Sequence, residues 1–302
     1  MNKPSSGPGA MPDLASAIST SFKQRPFLEP TFVKYHLAID AQAFYRNLEG
    51  GMYPALTSPN NQYPGSHLQL SQVLEPKAED FLYYLQRVGG KYGWDKRKKY
   101  QKDNMDAVRA FVERPGTCLY VFAIDGKQAG FALVTRIDNN HEQQPLEKGI
   151  MKPQAIETYR QQKGLPDGYS PVEIYKIGLF DEFTNQGYGN YFLQRLMKTL
   201  FEKGKGIVYL DTRDTNHEGV LRFYAQNGVD VFYQEELSRD VVFDTQNWPR
   251  SSASVEFVGP PYLPAPSNVN IIDHSREPGP VSKDGMNKDG GDSGFDVTKE
   301  PC

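Results

Sequence analysis

The sequence predicts a single α/β domain between residues 31 and 258, and three observations carry that prediction. A strand-like run, Val172 to Phe180, passes through the turn Gln186-Gly187-Tyr188-Gly189 into a helix-like run from Tyr191 to Lys203. Two β-rich runs, 118 to 124 and 128 to 135, are joined by Asp125-Gly126-Lys127, and Asp-Gly between such runs is a strong hairpin signal. Beyond the glycine turn the order helix, strand, helix, strand describes a parallel-containing α/β design, in which a ligand sits at strand ends.

The elements follow in chain order. Phe32 to Ile39 and His67 to Leu74 alternate as short strands, with a helical stretch from Ala41 to Leu48 and a turn-rich loop containing Pro54, Pro59 and Pro64 between them. Glu79 to Val88 puts Phe81, Leu82, Leu85 and Val88 on one helical face, and Gly89-Gly90 terminates it. A second helix is predicted from Asp103, as N-cap, to Glu113, before Pro115-Gly116. After the hairpin, the polar stretch from Asp138 to Tyr169 reads as an excursion over one sheet edge, with a helix from Ala155 to Gln162. The helix after the glycine turn offers Leu193, Leu196, Met197, Leu200 and Phe201 to the core and closes at Gly204. A strand from Ile207 to Thr212, a helix from Gly219 to Asn227 and a strand from Val231 to Gln234 complete the domain.

Composition narrows the class of protein. Residues 1–30 and 259–302 are rich in Pro, Gly and Ser with little apolar periodicity, so both read as disordered segments. A net charge of −3 gives no general attraction to nucleic acid or an anionic membrane, and no stretch approaches the ~18 consecutive apolar residues of a membrane helix. The first residues lack a secretory signal pattern, and two cysteines, Cys118 and Cys302, suggest no disulfide framework, so a cytoplasmic location is expected. The five histidines show no ligand spacing, and no metal is expected. No Gly-x-Ser-x-Gly turn supports a serine nucleophile. Lys96-Arg97-Lys98-Lys99 reads as a solvated loop or as a contact for a phosphate.

A turn such as 186–189 has two readings. It is an ordinary strand-to-helix connection, or its glycines let backbone N–H groups face an oxyanion at the start of a helix. The surroundings favour the second, because Phe180-Asp181-Glu182-Phe183 precedes the turn and Asn216, Phe223-Tyr224 and Asn227-Gly228 follow it.

In these blocks and their spacing, 172–234 resembles the GNAT superfamily of acyl-CoA N-acyltransferases, whose hallmark is Gln/Arg-x-x-Gly-x-Gly/Ala. The N-terminal half resembles a bacterial branch of these enzymes through Phe81-Leu82-Tyr83, Val88-Gly89, Trp94, Arg97 and Gly130-Phe131. The departures are Tyr191 in place of the last small residue of the hallmark, a long 138–169 segment, and Gly228-Val229 where Gly-Phe is usual. The resemblance implies a mixed, mostly antiparallel sheet flanked by helices and splayed where CoA binds. It implies acetyl-CoA as acyl donor and an amine on a small molecule, peptide or protein as acceptor, attacked in a ternary complex.

It also implies site residues. Amides of Gln186, Gly187, Tyr188, Gly189, Asn190 and Tyr191 would hold the pyrophosphate, backbone groups of Leu179 and Phe180 would pair with pantetheine, and Asn216 would touch the same arm, though Asn216 reads equally as a helix N-cap. Tyr224 would donate a proton to the CoA sulfur or position the thioester; packing on the sheet is its other reading. Glu173 stands at the offset of a general base, and a strand-end charge is its other reading. Glu142, Glu147 and Glu157 would favour a cationic amine or simply be solvated. The same fold could instead serve as a CoA-sensing or partner-binding module. A Rossmann-like nucleotide site is disfavoured, because no acidic residue stands ~20 residues beyond the turn.

Overall fold

The computed structural model describes residues 31–53, 56, 67–92, 94, 104–137, 152–214, 216, 219–238 and 271–273. Several sequence expectations lie outside these residues: the N-terminal segment 1–30, most of 259–302, the N-cap role of Asp103, the Lys96 to Lys99 run, and Glu142 and Glu147.

The chain forms strands β1 (Thr31–Asp40), β2 (Leu68–Val73), β3 (Thr117–Ile124), β4 (Lys127–Arg136), β5 (Pro171–Leu179), β6 (Ile207–Arg213), β7 (Asp230–Ser238) and β8 (Ile271–Asp273). Its helices are α1 (Ala41–Glu49), α2 (Ala78–Gly89), α3 (Met105–Val112), α4 (Lys152–Lys163), α5 (Tyr188–Glu202) and α6 (Val220–Gln226). All strands join one sheet in the order β7-β1-β6-β5-β4-β3-β2-β8. Among the described residues only β5 and β6 run parallel, and every other pairing is antiparallel. The sheet is therefore mixed and mostly antiparallel, as the resemblance implies.

Local chemistry accounts for most of the elements. Asp40 ends β1 and caps α1, its carboxylate accepting from the Ala43 amide at 2.8 Å. The β3–β4 turn places Asp125 and Gly126 in succession at φ of 50° and 76°, which an Asp-Gly pair accommodates with little strain. The helix α2 ends at Gly89 with Gly90 as its C-cap, where the sequence reading terminates it, and a 3-10 turn over Gly90–Tyr92 follows. The N-cap position of α3 falls on Asn104.

Helices cover both faces of the sheet. On one face α1, α5 and α6 pack through Phe44, Leu193, Leu196, Met197 and Tyr224 onto Leu37, Ile39, Val172, Ile174, Val208 and Leu210. On the other, α2 and α3 cover β3 and β4 through Phe81, Tyr84, Leu85, Val108 and Val112, while α4 covers β1 and β6 through Ala155, Ile156 and Tyr159.

The strand β1 sits between β6 and β7, so the first described element closes a sheet made by the last ones. Two features depart from the sequence reading. The strand β8 lies within the segment expected to stay unpacked and pairs with β2, Ser71 opposite Asp273. Cys118, the second residue of β3, is disulfide-bonded, against the expectation from cysteine count and spacing. Cys302 lies outside the described residues.

Candidate active site

Strands β5 and β6 pair over three positions, Pro171 with Ile207, Val172 with Val208 and Glu173 with Tyr209, and then separate. The cause lies in β5. Its register with β4 slips by one between Leu133 and Val134, whose partners are Lys176 and Ile174, leaving Tyr175 as a bulge. A bulge bends its strand and increases local twist, turning the rest of β5 away from β6. A cavity of about 500 Å³ opens in the gap. Its walls are Ile174 to Leu179 from β5, Asp211 to Arg213 from β6, and Gly187, Gly189 and Asn190 from the glycine turn, with Asn216, Phe223 and Tyr224 closing it.

The glycine turn is built differently from the sequence expectation. Its left-handed residues are Asn185 and Gly187, with φ of 60° and 86°. Gly189 is already in the first turn of α5, which begins three residues before the predicted start at Tyr191. Its small size serves packing, because a Cβ there would lie 3.3 Å from the ring of Phe223 on α6. The start of α5 carries the positive end of the helix dipole, with the Asn190 amide donating to the Gly187 carbonyl at 3.3 Å. That arrangement suits a phosphate oxyanion, and a 15-residue helix following a left-handed glycine beside an open cavity has the form such a group requires.

Asn227 holds the two cavity-lining helices together. It is fully buried; its Oδ1 accepts from Gln194 Nε2 at 2.7 Å, and its Nδ2 donates to Asn190 Oδ1 and to the Phe223 carbonyl, both at 2.8 Å. Tyr53 adds a hydroxyl bond to the Asn227 carbonyl at 3.0 Å. Through these bonds the turn carrying Asn190 and the helix carrying Tyr224 keep a fixed relation.

The structure brings together Leu179, Gly187, Gly189, Asn190, Asn216 and Tyr224 around the cavity. Asn216 is not a helix N-cap, since α6 starts at Val220 behind Gly219; its Nδ2 donates to Thr212 Oγ1 at 2.8 Å. Tyr224 is buried, and burial first, the Asp211 carboxylate second, push its phenol above the ordinary value. It is therefore protonated throughout the neutral range, so in proton transfer it can serve as an acid and not as a base. The other expected contacts lie off the cavity wall. Phe180 is buried against Tyr84 with the Arg87 guanidinium 4.5 Å from its ring, Tyr188 and Tyr191 are buried in the α5 core, and Gln186 donates to the Glu182 carbonyl at 2.7 Å. Glu173 is buried one residue before the cavity lining, where Lys152 Nζ donates to both its carboxylate oxygens at 2.6 and 2.8 Å. Glu157 is ion-paired with Arg160.

Sequence reasoning missed Asp211, Lys176 and Trp94 as cavity residues. Asp211 is the one carboxylate among the described lining residues, 3.8 Å from Lys34. Burial pushes its carboxyl up, but the charges of Lys34, Lys152, Lys176 and Arg213 outweigh that and hold it below the usual carboxylate range. A signal was available, since Asp211 breaks an apolar strand immediately after Leu210. Trp94 lies over Gly89, where a Cβ would meet its ring at 2.3 Å. Among the described residues no cluster of His, Cys, Asp or Glu could hold a metal ion, and no helix is long and apolar enough to cross a membrane.

Residues 85–229 match the family model described as the acetyltransferase (GNAT) family. No curated protein sequence matches the chain. Among solved structures, the chain is similar to a functionally unknown conserved protein from Staphylococcus epidermidis, at 12% identity and a TM-score of 0.40, over 70% of this chain and 63% of that one. The chain thus spans less than two thirds of that protein's length. It is also similar to an aminoglycoside acetyltransferase from an uncultured soil metagenomic sample, solved in complex with trehalose, at 12% identity and a TM-score of 0.36, over 53% of this chain and 86% of that one. A third is an aminoglycoside N-acetyltransferase solved in complex with CoA, at 13% identity and a TM-score of 0.33, over 60% of this chain and 96% of that one.

Proposed function

We propose that this protein transfers an acetyl group from acetyl-CoA to a primary amine of a small molecule, peptide or protein, by direct attack in a ternary complex. The observation that carries the reading is the cavity between β5 and β6, which meets the glycine turn and Tyr224 in one space. Acetyl-CoA supplies the activated acyl group. The amides at the start of α5, with those of Gly187 and Gly189 foremost, would hold its pyrophosphate. The inner edge of β5 near Leu179, which has no strand partner beyond Glu173 on the β6 side, would accept and donate hydrogen bonds to the pantetheine arm. Asn216 would add a side-chain contact to that arm.

Tyr224 would then donate its phenolic proton toward the departing sulfur. The raised pKa keeps the phenol protonated, so it would stabilise the departing thiolate as a hydrogen-bond donor, and full transfer of the proton to sulfur is not required for that role. Glu173 is held by Lys152, so the acceptor amine would shed its proton to water, with Glu173 as base only where Lys152 releases it. A pH–rate profile of Glu173→Gln separates these routes: an unchanged acidic limb favours water, and a lost limb favours Glu173.

The decisive experiment measures thiol release from acetyl-CoA against a panel of amines, together with CoA binding by calorimetry. Acyl transfer is expected, and Tyr224→Phe should lower kcat by about tenfold to a hundredfold while leaving CoA affinity intact. Equal turnover in the two proteins removes Tyr224 from the chemistry. CoA binding without thiol release for any amine would favour a CoA-sensing module on the same fold.

A further inference from the structure

The cavity already contains a primary amine. Lys176 follows the bulge in β5 and lines the cavity beside Ile177 and Gly178. Its Nζ donates to the Tyr175 carbonyl at 2.9 Å and lies 4.4 Å from the centroid of the Tyr175 ring and 5.5 Å from that of Trp94. Asp211, the carboxylate of the described lining, faces the same space and feels the Lys176 charge. Two aromatic faces and one carboxylate are what an ammonium ion requires for a seat. A side chain of the protein, and not only an incoming acceptor, supplies an ammonium to this seat.

We infer that Lys176 is an intramolecular acceptor, and that the protein acetylates its own Lys176 from acetyl-CoA when no external amine competes. The inference rests on the acyl-transfer reading given above. In the step, the Lys176 ammonium first loses a proton to water. Its neutral Nζ forms a bond to the thioester carbonyl carbon, the carbon–sulfur bond breaks, and the proton that nitrogen then sheds balances the one delivered to the sulfur. Tethering to β5 gives the amine a high effective concentration, so lysines outside the cavity react more slowly; Lys91, which also lines the cavity, is ion-paired with Asp181. The product carries a neutral amide in place of one of the cations that surround Asp211, which changes the charge an external acceptor meets.

The test incubates the full chain with acetyl-CoA and no added amine, then locates acetyl groups by intact mass and peptide mapping. Lys176 is expected to gain acetyl at least about tenfold faster than exposed Lys127 or Lys163, and Lys176→Arg should remove that modification. In a second arm, CoA without an acyl group should protect Lys176, but not Lys127, from a small amine-reactive reagent. This readout needs no turnover and no variant. Acetylation spread evenly over exposed lysines would mark ordinary chemical modification and overturn the inference. An unmodified Lys176 in a protein that still acetylates an added amine overturns the inference and leaves the acyl-transfer reading standing. Absence of CoA protection together with absence of thiol release for every amine sinks both.

Discussion

Replacing Asn227 with alanine tests whether the cavity depends on a hydrogen-bonded joint between α5 and α6. The side chain makes three bonds, to Gln194, Asn190 and the Phe223 carbonyl, all between 2.7 and 2.8 Å, at a site with no solvent exposure. Each such bond contributes about 1 kcal/mol net, and stranding a buried partner costs about 1–3 kcal/mol more. Gln194 is the vulnerable partner: its Oε1 is already buried without a hydrogen bond among the described residues, and the substitution would strand its Nε2 as well. Water entering the small void could recover part of this, so Asn227→Ala should destabilise the domain by about 3 kcal/mol. Urea unfolding followed by circular dichroism measures the loss, and CoA titration measures the consequence for the turn carrying Asn190. A loss below about 1 kcal/mol, with CoA affinity unchanged, would refute the joint and leave hydrophobic packing alone to set the relation of the helices.

Other outcomes follow from the same structure. Burial first, then the Lys34 charge, push His36 below its ordinary 6.5, against the opposing bond to Glu235. The unfolded chain therefore binds a proton near pH 6.5 that the folded chain refuses, so stability falls as pH drops through that value. The melting temperature of wild type over His36→Gln should shrink below about pH 6.5, and a constant difference contradicts the assignment. Burial, then Lys205, lower Lys203 from 10.5 to about 8, so its protonated form is penalised in the fold and stability should rise between those values; a Lys203→Met variant with the same slope would refute this. Truncation before Ala41 removes β1 and opens the sheet between β6 and β7; the shortened chain should show no cooperative unfolding transition, and a sharp one would show that β1 is dispensable.

The parts of the fold that the sequence revealed are those specified by neighbouring residues. The hairpin was legible because Asp125 and Gly126 are the residues that tolerate successive positive φ. The helices α2 and α5 were legible from apolar spacing, but the start of α5 was not, since Tyr188, Gly189 and Asn190 carry no apolar period and Gly189 lowers helix propensity. Contact between Gly189 and Phe223, a tertiary matter, decides that boundary. The slot of β1 between β6 and β7 was beyond reach for the same reason: an alternating strand states which face it buries, not which edges it joins. In the site, the glycine turn, Asn216 and Tyr224 could be read from blocks at known spacing. Asp211 showed only as a break after Leu210, and Lys176 not at all, because their meaning arises only where two strands part.

The parting of β5 and β6 raises the question of what keeps the gap open, since unpaired strand edges in a protein interior tend to find each other. The answer lies in their outer neighbours. The strand β6 is bound to β1 along its whole length, from Ile207 opposite Asp40 to Arg213 opposite Lys34, and β5 is bound to β4 from Val172 opposite Arg136 to Leu179 opposite Gly130. Closing the gap would require one of these ladders to give way, or the Tyr175 bulge to be absorbed by shifting every later residue of β5 to the other face. Such a shift would drive Ile177 out of the α5 core and Gly178 away from Val88, which lies 2.3 Å from where a Cβ on that glycine would sit. The cavity is thus a consequence of register rather than of loop conformation. The strand β1, although none of its residues is part of the cavity lining, is part of what holds it open.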